Sequence, residues 1–203
     1  MFLNPDLLSD AEARLGAPRL FRFDPIPTSR SEWADLLAIL APGRRHDAVF
    51  AARSAAGRFA VMRKPTYPVG AWRLPGGGVE TGETLDQGAA RELAEETGLA
   101  LRAERYLLRA TVAFAVDGVA HGWTTHVFFA DAPVETSLAP TGVGEAVAEC
   151  AWVDRDALAA AGPRFRATGS AALAYRAALQ DLVLEILSDA GARRRPAPKE
   201  ATS

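Results

Sequence analysis

Three glutamates crowd the run Arg91-Glu92-Leu93-Ala94-Glu95-Glu96. At about 100° per residue of helix, Glu92 and Glu96 lie about 40° apart, with Glu95 about 60° to the other side of Glu92. Like charges at these spacings destabilise a bare helix. A hard divalent cation, which takes oxygen ligands, is the natural compensation. Upstream, Gly76-Gly77-Gly78 follows Pro75, a run suited to unusual dihedrals and to close approach of a ligand. The stretch from Gly77 to Thr84 has the outline of a phosphate-binding loop, but Glu83 stands where that motif requires lysine. Taken alone, the acidic run also reads as a solvated helix face, with Arg91 and Glu95 as an ordinary i,i+4 pair. Gly98 then serves as a helix stop.

The full spacing weighs against the solvated-face reading. Gly77, Glu83, Arg91, Glu92, Leu93, Glu95, Glu96, Gly98 and Leu99 resemble the signature of the Nudix hydrolases at every fixed position. Trp72-Arg73-Leu74-Pro75-Gly76 leads in as it often does in that family. The resemblance implies an α/β fold, a mixed curved sheet sandwiched between helices. It implies Mg²⁺ or Mn²⁺ held by Glu92, Glu95 and Glu96, with the Gly77 carbonyl completing the coordination. Glu92 is then also the candidate for handling the proton of the attacking water, with Glu96 beside it. Glu83 pairs with Arg91 and braces the helix against the loop.

Members of that family often add a late acidic residue. Glu145, in Gly142-Val143-Gly144-Glu145, is the choice and Glu149 the rival; both also read as solvated loop residues. Arg63, Lys64 and Arg73 are candidates to meet substrate phosphates, against the alternative of surface charge. Trp123 and Phe114 are candidates to stack on a base, although aromatic residues in strands are more often core.

The implied activity is metal-dependent hydrolysis of a P–O–P bond in a nucleoside diphosphate linked to another group, or in a nucleoside triphosphate. The partner is then a small phosphorylated molecule, a nucleotide. Two alternatives stay open. One is a non-catalytic nucleotide-binding or regulatory module. The other is an isoprenoid-diphosphate isomerase, for which Cys150 is poorly placed. No subfamily fingerprint identifies the substrate.

Composition bounds the rest. The chain has 203 residues, nearly half of them apolar, and a formal charge of −2, so no global basic field draws nucleic acid. Cys150 is the only cysteine, which excludes an intramolecular disulfide framework and a multi-cysteine zinc site. No apolar run reaches membrane-spanning length and the N-terminus lacks a secretory pattern, so a cytoplasmic protein is expected. His121 and His126, five apart on one strand, face opposite sides and are poorly placed to share a metal, and His46 reads as a polar surface residue.

The elements that must position the acids follow from periodicity. Residues 1–45 read as an N-terminal extension with a helix over 31–40, capped by Ser31. Residues 46–163 read as the Nudix domain. Within it, strands at 48–53 and 58–63 flank a turn, longer strands at 104–116 and 122–130 meet at Asp117-Gly118, and a strand at 150–153 precedes a helix capped by Asp154 and ending near Gly162. Residues 164–190 read as a C-terminal helix with a stripe of Tyr175, Leu179, Leu182, Val183, Ile186 and Leu187. That stripe is read as core packing, with a homodimer contact as the lesser alternative. Residues 191–203 read as a disordered basic tail.

Overall fold

The segment from His46 to Ser54 is apolar on both of its alternating faces, the pattern of a strand covered from two sides. The computed structural model describes residues 5–40, 43–141 and 147–194, and side chains as far as residue 189. In chain order its elements are α1 (Pro5–Leu15), β1 (Arg19–Arg22), β2 (Ile26–Pro27), α2 (Arg30–Leu40), β3 (His46–Ser54), β4 (Phe59–Arg63), β5 (Gly76–Gly77), α3 (Leu85–Thr97), β6 (Arg105–Val116), β7 (Val119–Ala132), β8 (Glu149–Val153), α4 (Arg155–Arg166) and α5 (Ala171–Arg194).

The sheet runs β1-β6-β7-β3-β4-β8, with β2 beside β6 and β5 beside β3. It is mixed: β3 is parallel to β7 and β1 to β6, whereas β6 and β7 are antiparallel. On one face Ala48, Phe50 and Ala52 pack against Leu85, Ala89 and Leu93 of α3 and Ala11 of α1. On the other, Val49, Ala51, Val127 and Phe129 pack against Leu158 of α4 and Leu179, Leu182 and Val183 of α5. The result is the expected α/β sandwich, in which β3 is the central strand. The β6–β7 turn puts Asp117 and Gly118 at φ 50° and 80°, the left-handed pair that a two-residue hairpin needs.

Several boundaries differ from expectation. The N-terminal extension supplies a first helix and two strands, and β1 and β2 both run parallel to β6. Local periodicity does not reveal four- and two-residue strands whose pairing is long-range. α2 begins at Arg30, not after Ser31: the Ser29 hydroxyl accepts from the Glu32 N–H, and the Glu32 carboxylate accepts from Ser29. α4 is capped by Asp154 as expected but runs past Gly162 and Pro163 to Arg166. Burial of Phe165 in a cluster with Ala161, Ala71 and Ala177 outweighs the helix-breaking pair. α5 extends to Arg194, so the first residues of the expected tail are helical, and residues 195–203 lie outside those described. The apolar stripe of α5 is buried in the core. Among the described residues no helix is long and apolar enough to cross a membrane.

Candidate functional site

The acidic residues sit on α3, which is fixed at both ends. Thr84 caps its start, accepting from the Gln87 N–H while the Gln87 side chain accepts from Thr84 N. Gly98 closes it in the left-handed conformation. Arg14 of α1 reaches Asp86 in the first turn at 2.7 Å. Thr141 donates from its N–H to the Glu95 carbonyl and from its hydroxyl to the Ala94 carbonyl, tying the loop after β7 to the other end.

Arg91 is the hub. Its Nε and Nη2 donate to Glu83 at 2.8 and 3.2 Å, and Nη1 donates to Glu92 at 3.1 Å and Glu95 at 3.0 Å. Nη2 also donates to the Gly78 carbonyl at 2.7 Å. One guanidinium thus ties loop to helix and offsets part of the charge of three carboxylates. Burial works to raise the Glu83 carboxyl, but the Arg91 hydrogen bonds and the Glu80 N–H outweigh it and hold it below its ordinary range. The same hydrogen bonds to Glu83 raise Arg91.

Glu92 is buried and lies directly against the backbone of Gly77. A Cβ at residue 77 would stand 2.4 to 2.5 Å from the carboxylate atoms of Glu92. Glycine at 77 is therefore a requirement of this close approach. Glu95 is more open, with 43% of its side chain exposed. Glu96 is buried, and both of its oxygens are engaged: Oε1 accepts from Arg73 at 2.8 Å and Oε2 from the Gly76 N–H at 2.8 Å.

Arg73, expected to meet phosphates, is itself buried, and its Nη2 donates to Glu96 and to the Gly76 carbonyl at 2.7 Å. The geometry gives it the task of holding the glycine turn to α3. Its bridge to β4, Met62 against Arg73, turns it inward. Arg63, at the end of β4, donates from Nε to Glu149 of β8 at 3.0 Å. Its charge and that of the rival late acid offset each other. Lys64 begins the loop after β4 and is half-buried. Glu145 lies outside the described residues.

The carboxylates and the glycine turn suit a hard divalent ion by donor chemistry, since they offer oxygen alone. As they stand, no three ligating side chains converge among the described residues. The Arg91 and Arg73 guanidinium groups sit on the oxygens instead. Glu92 and Glu95 bracket Arg91 Nη1, whereas Glu96 is turned to the glycine loop.

Sequence reasoning missed Arg44. Its guanidinium atoms lie 2.9 to 3.2 Å from where a Gly78 Cβ would stand, and it lies over the Trp123 ring at 5.5 Å. The only local signal was a basic pair just before β3. His46 is also not a surface residue: its ring stands edge-on to the buried His126, and its Nδ1 is buried. Cys150 is half-buried on β8, and burial pushes its thiol up, away from a reactive thiolate.

An RNA pyrophosphohydrolase of Erythrobacter litoralis is 49% identical over 41 residues, 20% of this chain and 25% of that protein. An oxidized purine nucleoside triphosphate hydrolase of Danio rerio is 37% identical over 70 residues, 34% of this chain and 44% of that protein. The chain thus spans a quarter to under a half of the length of these curated relatives. A solved NUDIX hydrolase from Nitrosomonas europaea aligns with a TM-score of 0.48 at 17% identity, covering 78% of this chain and 96% of that one. The NUDIX domain model matches residues 43–173, well over half of the sequence and the whole of β3 to α4. The chain belongs to the NUDIX domain family.

Proposed function

We propose that the protein hydrolyses a P–O–P bond in a nucleoside diphosphate linked to another group, or in a nucleoside triphosphate, with Mg²⁺ or Mn²⁺ as cofactor. The observation that carries the reading is the Glu92 carboxylate seated on Gly77, with Glu95 open beside it and Arg91 between them. A polyphosphate repels an attacking hydroxide, and a bound divalent ion would neutralise that charge and lower the pKa of its water. Glu92 and Glu95 would hold such an ion.

The chain's own groups do the rest. A water attacks phosphorus, the bond to the bridging oxygen breaks, and the water's proton passes to Glu92. Burial at 8% exposure keeps Glu92 from competing solvent. Arg91 orients Glu92 and Glu95 together while Glu83 orients Arg91. Glu96 and Arg73 keep the Gly76–Gly77 turn in place.

The test is a panel of nucleotides, nucleotide sugars and dinucleotides assayed for phosphate-bond cleavage. Activity is expected to vanish on rigorous chelation and to return with Mg²⁺ or Mn²⁺. Full turnover in the chelated protein would refute the reading.

A further inference from the structure

Two of the guanidinium groups at the glycine turn are spent on carboxylates. Arg91 holds Glu83, Glu92 and Glu95, and Arg73 holds Glu96. Those four acids and two arginines leave a formal charge of −2, which one divalent ion would cancel. A polyphosphate brought to that ion then needs a further cation from the protein. Arg44 also reaches the turn, and among the described residues no carboxylate pairs with it.

Arg44 stands just before β3 and is half-buried. Its Nε donates to the His46 carbonyl at 3.3 Å, and its guanidinium lies over the Trp123 ring at 5.5 Å. That ring is itself fixed. Trp123 Nε1 donates to Asp47 at 3.1 Å, and Asp47 also accepts from Thr125 and Arg176. Arg44 is thus held by one nitrogen and one face, while its Nη1 and Nη2 meet no acceptor among the described residues. Those two nitrogens form the fork that meets phosphate oxygens in parallel. They lie 3.0 and 3.2 Å from where a Gly78 Cβ would stand, whereas Glu92 comes within 2.4 Å of a Cβ on the preceding residue, Gly77. With the Cα–Cα step of about 3.8 Å, these approaches keep the Glu92 carboxylate and the Arg44 guanidinium within roughly 12 Å of each other. A metal ion and a short polyphosphate together span that distance.

We propose that Arg44 is a substrate-contacting residue, whose Nη1 and Nη2 take a phosphate of the substrate next to the one attacked at Glu92. Gly78 is glycine because the guanidinium occupies the place of its side chain. The proposal rests on the hydrolytic reading above but concerns only which group of the chain receives the second phosphate.

Calorimetric titration of the full chain in chelator with methylenediphosphonate, whose P–C–P bridge resists hydrolysis, reads the contact without turnover. Arg44→Met keeps the stem against Trp123 but loses the fork, and should weaken binding at least ten-fold. Arg44→Lys keeps the charge without the fork and should weaken it at least three-fold. Gly78→Ala keeps Arg44 but displaces it, and should also cost at least three-fold. Arg102→Met removes a charge from an exposed position and should change binding less than two-fold. No binding by the wild type, unchanged binding by Arg44→Met or Gly78→Ala, or an equal loss in Arg102→Met would overturn the proposal. With metal present, Arg44→Met should raise KM for a nucleoside triphosphate at least ten-fold and leave the metal concentration for half-maximal rate unchanged. A fall in kcat with KM unchanged would assign Arg44 a purely structural part and overturn the contact. Cleavage by the wild type with diphosphonate binding indifferent to Arg44 refutes the contact and leaves hydrolysis standing. Arg44-dependent binding without cleavage of any nucleotide refutes hydrolysis and leaves the contact.

Discussion

Glu92 reaches the turn before α3 only because residue 77 has no side chain. Gly77→Ala would put a carbon within 2.4 to 2.5 Å of the Glu92 carboxylate, and one of the two must move. A displacement on the order of 1 Å in a catalytic group can cost roughly 10²-fold in rate. Removing the charge of Glu92 by Glu92→Gln is expected to cost kcat a similar factor of about 10²-fold or more. Both substitutions act on one contact, so the double variant should lose little beyond the worse single. Steady-state kinetics on the three folded variants check this. Wild-type kcat in Gly77→Ala would show that the close approach has no catalytic consequence.

At the scale of the element, α3 is held by a cap and by an ion pair of unequal worth. The Thr84 hydroxyl satisfies a backbone N–H that has no other partner in the first turn. Thr84→Ala is expected to cost about 1 kcal/mol. The Arg14–Asp86 pair is short, at 2.7 Å, but 42% of the arginine side chain is exposed. Its loss through Arg14→Met is expected to cost less than about 1 kcal/mol, because exposed pairs are screened. Urea midpoints of the two variants should fall in that order. A larger loss from Arg14→Met would mean that α1 holds α3 more firmly than this exposed contact implies.

For the molecule as a whole, acid sensitivity should trace to the buried histidine of β7. Burial, with the neighbouring His46 and Arg109 adding to it and Asp47 opposing, lowers His126 from 6.5 to about 3. The Tyr106 hydroxyl holds its Nδ1. Once pH drops below about 6.5 the unfolded chain binds a proton at this residue that the folded chain refuses until near 3. Stability is therefore lost as pH falls through that window, at up to about 1.4 kcal/mol per pH unit. Asp47 extends the loss downward: burial works to raise its carboxyl, Arg176 and two hydrogen bonds outweigh it, and the depressed value loses its benefit only below the ordinary carboxylate range. His126→Gln, which retains an acceptor for Tyr106, should flatten the stability profile between pH 6.5 and 5. An unchanged slope would assign the sensitivity to other groups.

The sequence by itself determined the helix of the motif, its Gly98 stop, the Arg91–Glu95 pair and the Asp117-Gly118 hairpin, while the Glu83–Arg91 pair was implied by the family resemblance. Each rests on residues within one or two turns of one another, where backbone geometry dictates which side chains meet. Tertiary structure alone decided that Arg73 pairs with Glu96, that Arg63 pairs with Glu149, and that Arg44 packs on Gly78. It also decided that His46 faces His126 and that α2, β6, β7 and α5 line one cavity. The Arg63–Glu149 pair depends on the register of β4 against β8, and the placing of His46 and of the Gly76–Gly77 turn on that of β3 against β7 and β5. A shift of one residue in either ladder would turn each side chain to the opposite face, and no local pattern records the choice.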